Sequence, residues 1–278
     1  MKQPADTLEK IRQRFPAAEV AVDGWTWTVR DTNPHGGMPL LLLPGAGGTG
    51  DVFHRVIDAL ADQRRLVSVS YPALPDAVAL AGGIWQMLDR LGVDSADLLG
   101  SSLGGYLAQV CALQQPTRVR RAMLACTFYD SAWLQRRIPP GPWAATPAEQ
   151  HMAATIAGWQ AAPEDSDAAR ELKSTMLALL GTHQTAETAK AALLAVLRAP
   201  VLPRLELPAA EVALLDADDD PVVDAATRAQ MRERYAGHPQ FRLAYGGHYP
   251  SLLNPAAFIA AVEQHFAPRN TTPSGHHS

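Results

Sequence analysis

With 278 residues, 47% of them hydrophobic, the chain can bury the core of one large α/β domain or two small ones. Its 24 basic and 28 acidic residues are spread along the sequence to a net charge of −4, with no basic stripe, which argues against a nucleic-acid partner. No apolar run approaches the roughly 20 residues that span a bilayer, and "MKQPADTLEKIRQRF" lacks the apolar stretch of a secretory signal. Cys111 and Cys126 lie in apolar surroundings, so the expectation is a cytoplasmic chain with two reduced core thiols.

After a short charged helix, "AEVAVDG" (18–24) and "WTWTVRD" (25–31) alternate apolar and polar residues about a glycine, which predicts a hairpin. "MPLLLLPGAGGTG" (38–50) then runs four leucines into a glycine-rich loop, the pattern of a strand buried on both faces of a parallel sheet. Helical spacing follows over 52–63, a strand over 65–72 and a helix over 77–92. "ADLLGSSLGGYLAQVCALQ" (96–114) reads as strand, sharp turn and helix, and "VRRAMLACTF" (119–128) as the next strand.

Residues 131–206 break this rhythm. A loop rich in Pro, Gly and Trp (136–147) leads into three helical patterns near 146–160, 166–180 and 184–198. Alternation resumes with "EVALLDADDDPVV" (211–223), a helix over 224–236, the strand "FRLAY" (241–245) and a helix over 254–266. Strands alternating with helices predict a mostly parallel sheet covered on both faces. The expected division is a core of 1–130 and 207–267, a helical cap of 131–206 over the C-terminal ends of the strands, and a disordered tail of 268–278. His276 and His277 fall in that tail and read as solvated, not as a metal site.

The chemistry centres on "GSSLGG" (100–105), between an apolar strand and a helix. A nucleophile held in a strained strand–helix turn needs neighbours without side chains two residues away on each side. Ser102 has Gly100 and Gly104 there, whereas Ser101 has Leu99 and Leu103 and is left to pack or hydrogen-bond beneath the turn. The plain alternative is a helix-capping serine. A serine needs a base. Of nine histidines, His248 follows the last strand in "AYGGHYPSLLNPAAF", where Gly246 and Gly247 allow a close approach. The orienting acid is expected after the preceding strand, and Asp216, Asp218, Asp219 and Asp220 all stand there. Asp220 is preferred because Pro221 follows and Val222-Val223 re-enter the core; Asp219 is the second choice, and only one of the two should reach His248. Acyl transfer also needs two donors for an oxyanion. The backbone N–H of Leu103 is one, and that of Ala46, or alternatively Gly47, is the other. "LPGAGGTG" lacks the Lys and spacing of a phosphate-binding loop, so a nucleotide is not expected.

In order, "LLLLPGAGG", "GSSLGG", "LLDADDDPVV" and "GGHYPSLLNPAAF" resemble the α/β-hydrolase fold superfamily from about 18 to 266. Within it, "LLLLPGAGGTGDVFHRV", "VSVSYP", "LLGSSLGGYLAQ" and "GGHYPSL" resemble the maspardin family, whose type member binds proteins and has an incomplete triad at the histidine position. This chain departs by carrying His248 there, and Pro44 stands where many hydrolases have a histidine. The resemblance implies a Ser102–His248–Asp220 serine hydrolase acting on a small-molecule carboxylic ester, with no metal or organic cofactor. Thioester or carbon–carbon cleavage by the same groups, or a non-catalytic adaptor, are the alternatives. Trp133, Trp143, Trp159 and Met152 are candidate pocket residues in the cap.

Overall fold

The computed structural model describes residues 4–47, 49–181, 184–208 and 211–268. His183 and nearly all of the expected tail, with His276 and His277, lie outside them. α1 (Pro4–Arg14) precedes β1 (Ala18–Val22) and β2 (Trp25–Asp31). These form a hairpin in which Val22 faces Trp25, so the connection is the pair Asp23-Gly24. Both residues have positive φ, 47° and 79°, as the tight turn that matches strand twist requires.

β3 (Leu40–Leu43) is buried at every position. Leu41 and Leu43 join the core beneath one sheet face, with Trp27, Leu80, Ile84 and Leu107. Leu40 and Leu42 join the core on the other, with Ile57, Phe258 and Val262. Strand side chains alternate between faces, so an unbroken leucine run is what a doubly covered strand requires. A 3₁₀ turn (Gly50–Phe53) and α2 (His54–Leu60) lead to β4 (Leu66–Ser70), then α3 (Ala77–Arg90), β5 (Ala96–Ser101), α4 (Leu103–Gln114) and β6 (Val119–Ala125). Asp76 starts α3 by accepting from the N–H groups of Val78 and Ala79 at 2.8 and 2.9 Å.

Between β6 and β7 (Val212–Ala217) the named elements among the described residues are helices: α5 (Ala132–Gln135), α6 (Pro140–Ala145), α7 (Ala148–Ala161), α8 (Asp167–Leu179) and α9 (Ala186–Leu197). The three long helices fall where the sequence pattern sets them. The stretch expected as a loop over 136–147 instead folds a turn of helix, α6, opened by Pro140 at its first position. α10 (Ala225–Arg234), β8 (Gln240–Leu243), α11 (Pro250–Leu253) and α12 (Pro255–Phe266) complete the chain.

The eight strands lie in the order β1-β2-β4-β3-β5-β6-β7-β8. β1 and β2, and β2 and β4, pair antiparallel; every other pairing is parallel. β3 and β5 are therefore central neighbours, and the loops leaving their C-terminal ends are adjacent. Asp97, at the opposite end of β5, is fully buried beneath Arg64, Arg120 and Arg121. Burial pushes its carboxyl up, but hydrogen bonds and charge from Arg120 and Arg121 outweigh this and hold it below the usual range. Among the described residues no helix is long and apolar enough to cross a membrane.

Candidate active site

β5 ends at Ser101 and α4 begins at Leu103, so Ser102 carries the whole reversal. Its φ of 55° and ψ of −119° are strained for a residue with a Cβ. The strain is held by surrounding hydrogen bonds. Ser102 N–H donates to Ala125 O at 2.9 Å, and Thr127 Oγ1 donates to Ser102 O at 2.7 Å. A Cβ on Gly100 would lie 2.1 Å from Gly104 O, and one on Gly104 would lie 1.9 Å from Leu43 O. Neither position accepts any other residue without moving backbone. Ser102 sits at the cap position of α4 yet makes no side-chain capping bond. The helix-cap explanation of this serine therefore fails.

The acid loop after β7 separates its four aspartates by partner. Asp216 is buried against Arg232 at 2.6 Å, and burial raises its carboxyl despite that cation. Asp218 is exposed and pairs with Arg242. Asp219 Oδ1 accepts the N–H of Gly247 at 2.8 Å, which ties the acid loop to the histidine loop. Asp220 is buried and faces His248, with Nδ1 3.0 Å from Oδ2 and 3.2 Å from Oδ1. Asp220 Oδ1 also accepts from Val222 N and Val223 N at 2.8 and 3.1 Å. Val223 is fully buried, but Val222 is exposed at the cavity edge and does not re-enter the core. Arg228, on α10, donates to the carbonyls of Asp218, Asp220 and Val223 and so fixes the loop from beneath.

Gly246 and Gly247 carry the histidine loop back across the sheet ends, Gly247 with a φ of 53°. His248 is buried and opens on the same cavity as Ser102, Gly45, Ala46 and Gly47. Among the described residues Ser102 Oγ makes no hydrogen bond; in substrate-free enzymes the contact from nucleophile to base is commonly long and tightens in the complex. Leu103 follows directly at the N-terminus of α4, where the helix dipole favours negative charge. Gln184 Nε2 donates to Ala46 O at 2.8 Å, and Tyr71 Oη donates to Pro44 O at 2.9 Å, so the loop after β3 is held at both shoulders. Proline at 44 thus contributes its only polar group, the carbonyl, to a bond.

The cavity holds about 160 Å³. Its walls are mostly apolar and include Val52, Phe53, Phe128, Trp133, Leu134, Leu193 and Val196. Of the four cap candidates only Trp133 lines it. Trp143 stacks on His151 with ring centroids 3.5 Å apart, Trp159 packs its ring against Tyr249, and Met152 is buried elsewhere. Ser101 also lines the cavity, contrary to a place beneath the turn. Tyr249 joins it from the histidine loop; burial, with the Asp220 charge adding, pushes its phenol up to about 12. The sequence offered no pattern for Gln184, whose partner is a backbone carbonyl distant in the chain, or for Arg228, whose carbonyl partners lie in the acid loop just before its helix.

The family model described as alpha/beta hydrolase fold matches residues 38–255. The chain belongs to that family. It is similar to human maspardin, 27% identical over 262 residues that cover 92% of this chain and 84% of that protein. Among solved structures it is similar to the enol-lactonase from Burkholderia xenovorans LB400, with a TM-score of 0.75 and 17% identity over 90% of this chain and 100% of that one. It is similar also to a hydrolase from Pseudomonas aeruginosa PA01, with a TM-score of 0.72 and 22% identity over 91% of this chain and 99% of that one. At those identities the structural likeness speaks to the fold alone.

Proposed function

We propose that this chain is a serine hydrolase that cleaves small, uncharged carboxylic esters through an acyl-enzyme. The observation that carries the reading is a buried His248–Asp220 pair opening on the same cavity as a strained, uncapped Ser102. Ser102 Oγ attacks the acyl carbonyl and His248 Nε2 takes its proton. Asp220 keeps the proton on Nδ1, so that Nε2 is free to accept, and stabilises the imidazolium. The N–H groups of Leu103 and Ala46 hold the oxyanion. The alcohol leaves with the proton from His248. A water deprotonated by the same nitrogen then releases the acid and restores Ser102.

Residues 131–206 act as a cap in this account. Trp133 and Leu134 of α5 and Leu193 and Val196 of α9 supply its apolar wall. No Lys, Arg, Asp or Glu lies among the described lining residues, which favours a neutral ester over an anionic thioester carrier. A cavity near the ~150 Å³ that holds benzene favours short acyl groups. The adaptor alternative implied by the maspardin resemblance requires no turnover. The test is hydrolysis of p-nitrophenyl esters of increasing chain length. Turnover by the wild type that falls about 1,000-fold or more in Ser102→Ala is expected. A wild type no faster than buffer would overturn the reading.

A further inference from the structure

We propose that Tyr249 is a further catalytic residue, its phenol donating a third hydrogen bond to the substrate oxyanion. The inference rests on the serine-hydrolase reading above. Tyr249 follows His248 directly and enters α11, where its carbonyl accepts the N–H groups of Leu252 and Leu253, both at 2.9 Å. Its ring is wedged edge-on between two others. Trp159 lies 5.9 Å away at an interplanar angle of 64°, and His248 lies 5.5 Å away at 85°. The hydroxyl is therefore aimed rather than free to swing.

It is aimed at the loop after β3. A Cβ on Gly47 would stand 2.5 Å from Tyr249 Oη, so the phenol reaches over that loop only because residue 47 has no side chain. Ala46, beside it, supplies the backbone donor proposed for the oxyanion, and its carbonyl is fixed by Gln184. Yet among the described residues Tyr249 Oη has no hydrogen-bond partner, although it lines an apolar cavity. With no protein partner and a place on the cavity wall, the hydroxyl is available to donate to an oxygen of bound substrate. The negative charge of the tetrahedral intermediate develops beside this loop. A phenol held above its usual pKa stays protonated across the working range, so it serves as a donor and not as a base.

The experiment compares wild type with Tyr249→Phe on a short p-nitrophenyl ester. Phenylalanine keeps the ring packing and removes only the hydroxyl. We expect kcat to fall about 10- to 100-fold with KM within about threefold, and the loss to be constant from about pH 6 to 9. Affinity for a trifluoromethyl ketone, which forms a tetrahedral adduct on the serine, should fall in parallel. A merely structural role would lower the thermal midpoint and leave that parallel absent. Gly47→Ala provides a second route, because its Cβ displaces the hydroxyl. Its loss in kcat should shrink when Tyr249→Phe is already present. A wild type that turns over while Tyr249→Phe keeps its kcat, or a rise in KM alone, would overturn this inference and leave the hydrolase reading standing. A wild type without turnover would overturn both.

Discussion

Replacing Asp220 with asparagine separates the two acids next to each other in the loop. Asp220 Oδ1 accepts from Val222 N and Val223 N, and an asparagine oxygen keeps both bonds. That leaves the new NH₂ group facing His248 Nδ1, where Oδ2 now lies at 3.0 Å. Two donors cannot share that line, so the imidazole moves its proton to Nε2 and can no longer accept one from Ser102. The same substitution in the serine-protease triad lowers kcat about 10,000-fold with geometry intact, equivalent to about 5.4 kcal/mol of barrier. Asp219→Asn keeps the acceptor for Gly247 N and should cost less than about tenfold. The assay is steady-state ester hydrolysis with folded content checked by thermal melting. Equal losses in the two variants, or an Asp220→Asn enzyme within about tenfold of wild type, would refute the assignment of the acid.

Gly104→Ala should destabilise the fold by about 3 kcal/mol or more in urea unfolding, since its Cβ would meet the Leu43 carbonyl at 1.9 Å and backbone cannot rotate away. Gly158→Ala, in the last turn of α7 with nothing within 4 Å of the new Cβ, should instead stabilise by up to about 1 kcal/mol. Asp97→Asn leaves a buried Arg121 without its anion and should cost about 3–5 kcal/mol at neutral pH. Because the folded Asp97 carboxyl sits below its unfolded value, its contribution is complete above the ordinary aspartate pKa and is lost as pH falls through the folded pKa. The stability gap between wild type and Asp97→Asn should therefore narrow toward pH 2; a gap that widens on acidification contradicts the pairing. Against a p-nitrophenyl ester series, kcat/KM should peak at short acyl chains and fall more than about tenfold by twelve carbons, because the cavity holds only about 160 Å³; a rise with chain length would mean that the cap opens further than its packing implies.

The central sheet was legible because its strands carry their burial in their composition. Four leucines in a row admit a doubly covered strand and little else, and the glycines flanking Ser102 are explained by clashes of about 2 Å with backbone. The aspartate that pairs with His248 was legible only down to two candidates. What orients Asp220 toward His248 and Asp219 toward Gly247 includes Arg228, which grips the loop carbonyls from a helix later in the chain. A long side chain on the next helix can reach several of these carbonyls, and spacing alone does not say which it takes. The helices of 131–206 were legible as helices, but not in which side they present. α7 is rich in alanine, so its periodicity selects no single face, and two of its candidate residues lie off the cavity wall. Tyr249 was hidden in "GGHYPSL" because its role depends on the space left by Gly47, which is remote in sequence and adjacent only once β3, β5 and the histidine loop converge.

Whether Ser102 is the nucleophile is tested most directly by labelling with a fluorophosphonate, followed by peptide mass analysis of the adduct. One adduct is expected, on Ser102, formed by wild type and abolished in Ser102→Ala. Absence of labelling where a control esterase reacts, or an adduct on Ser101 or any other residue, would contradict it.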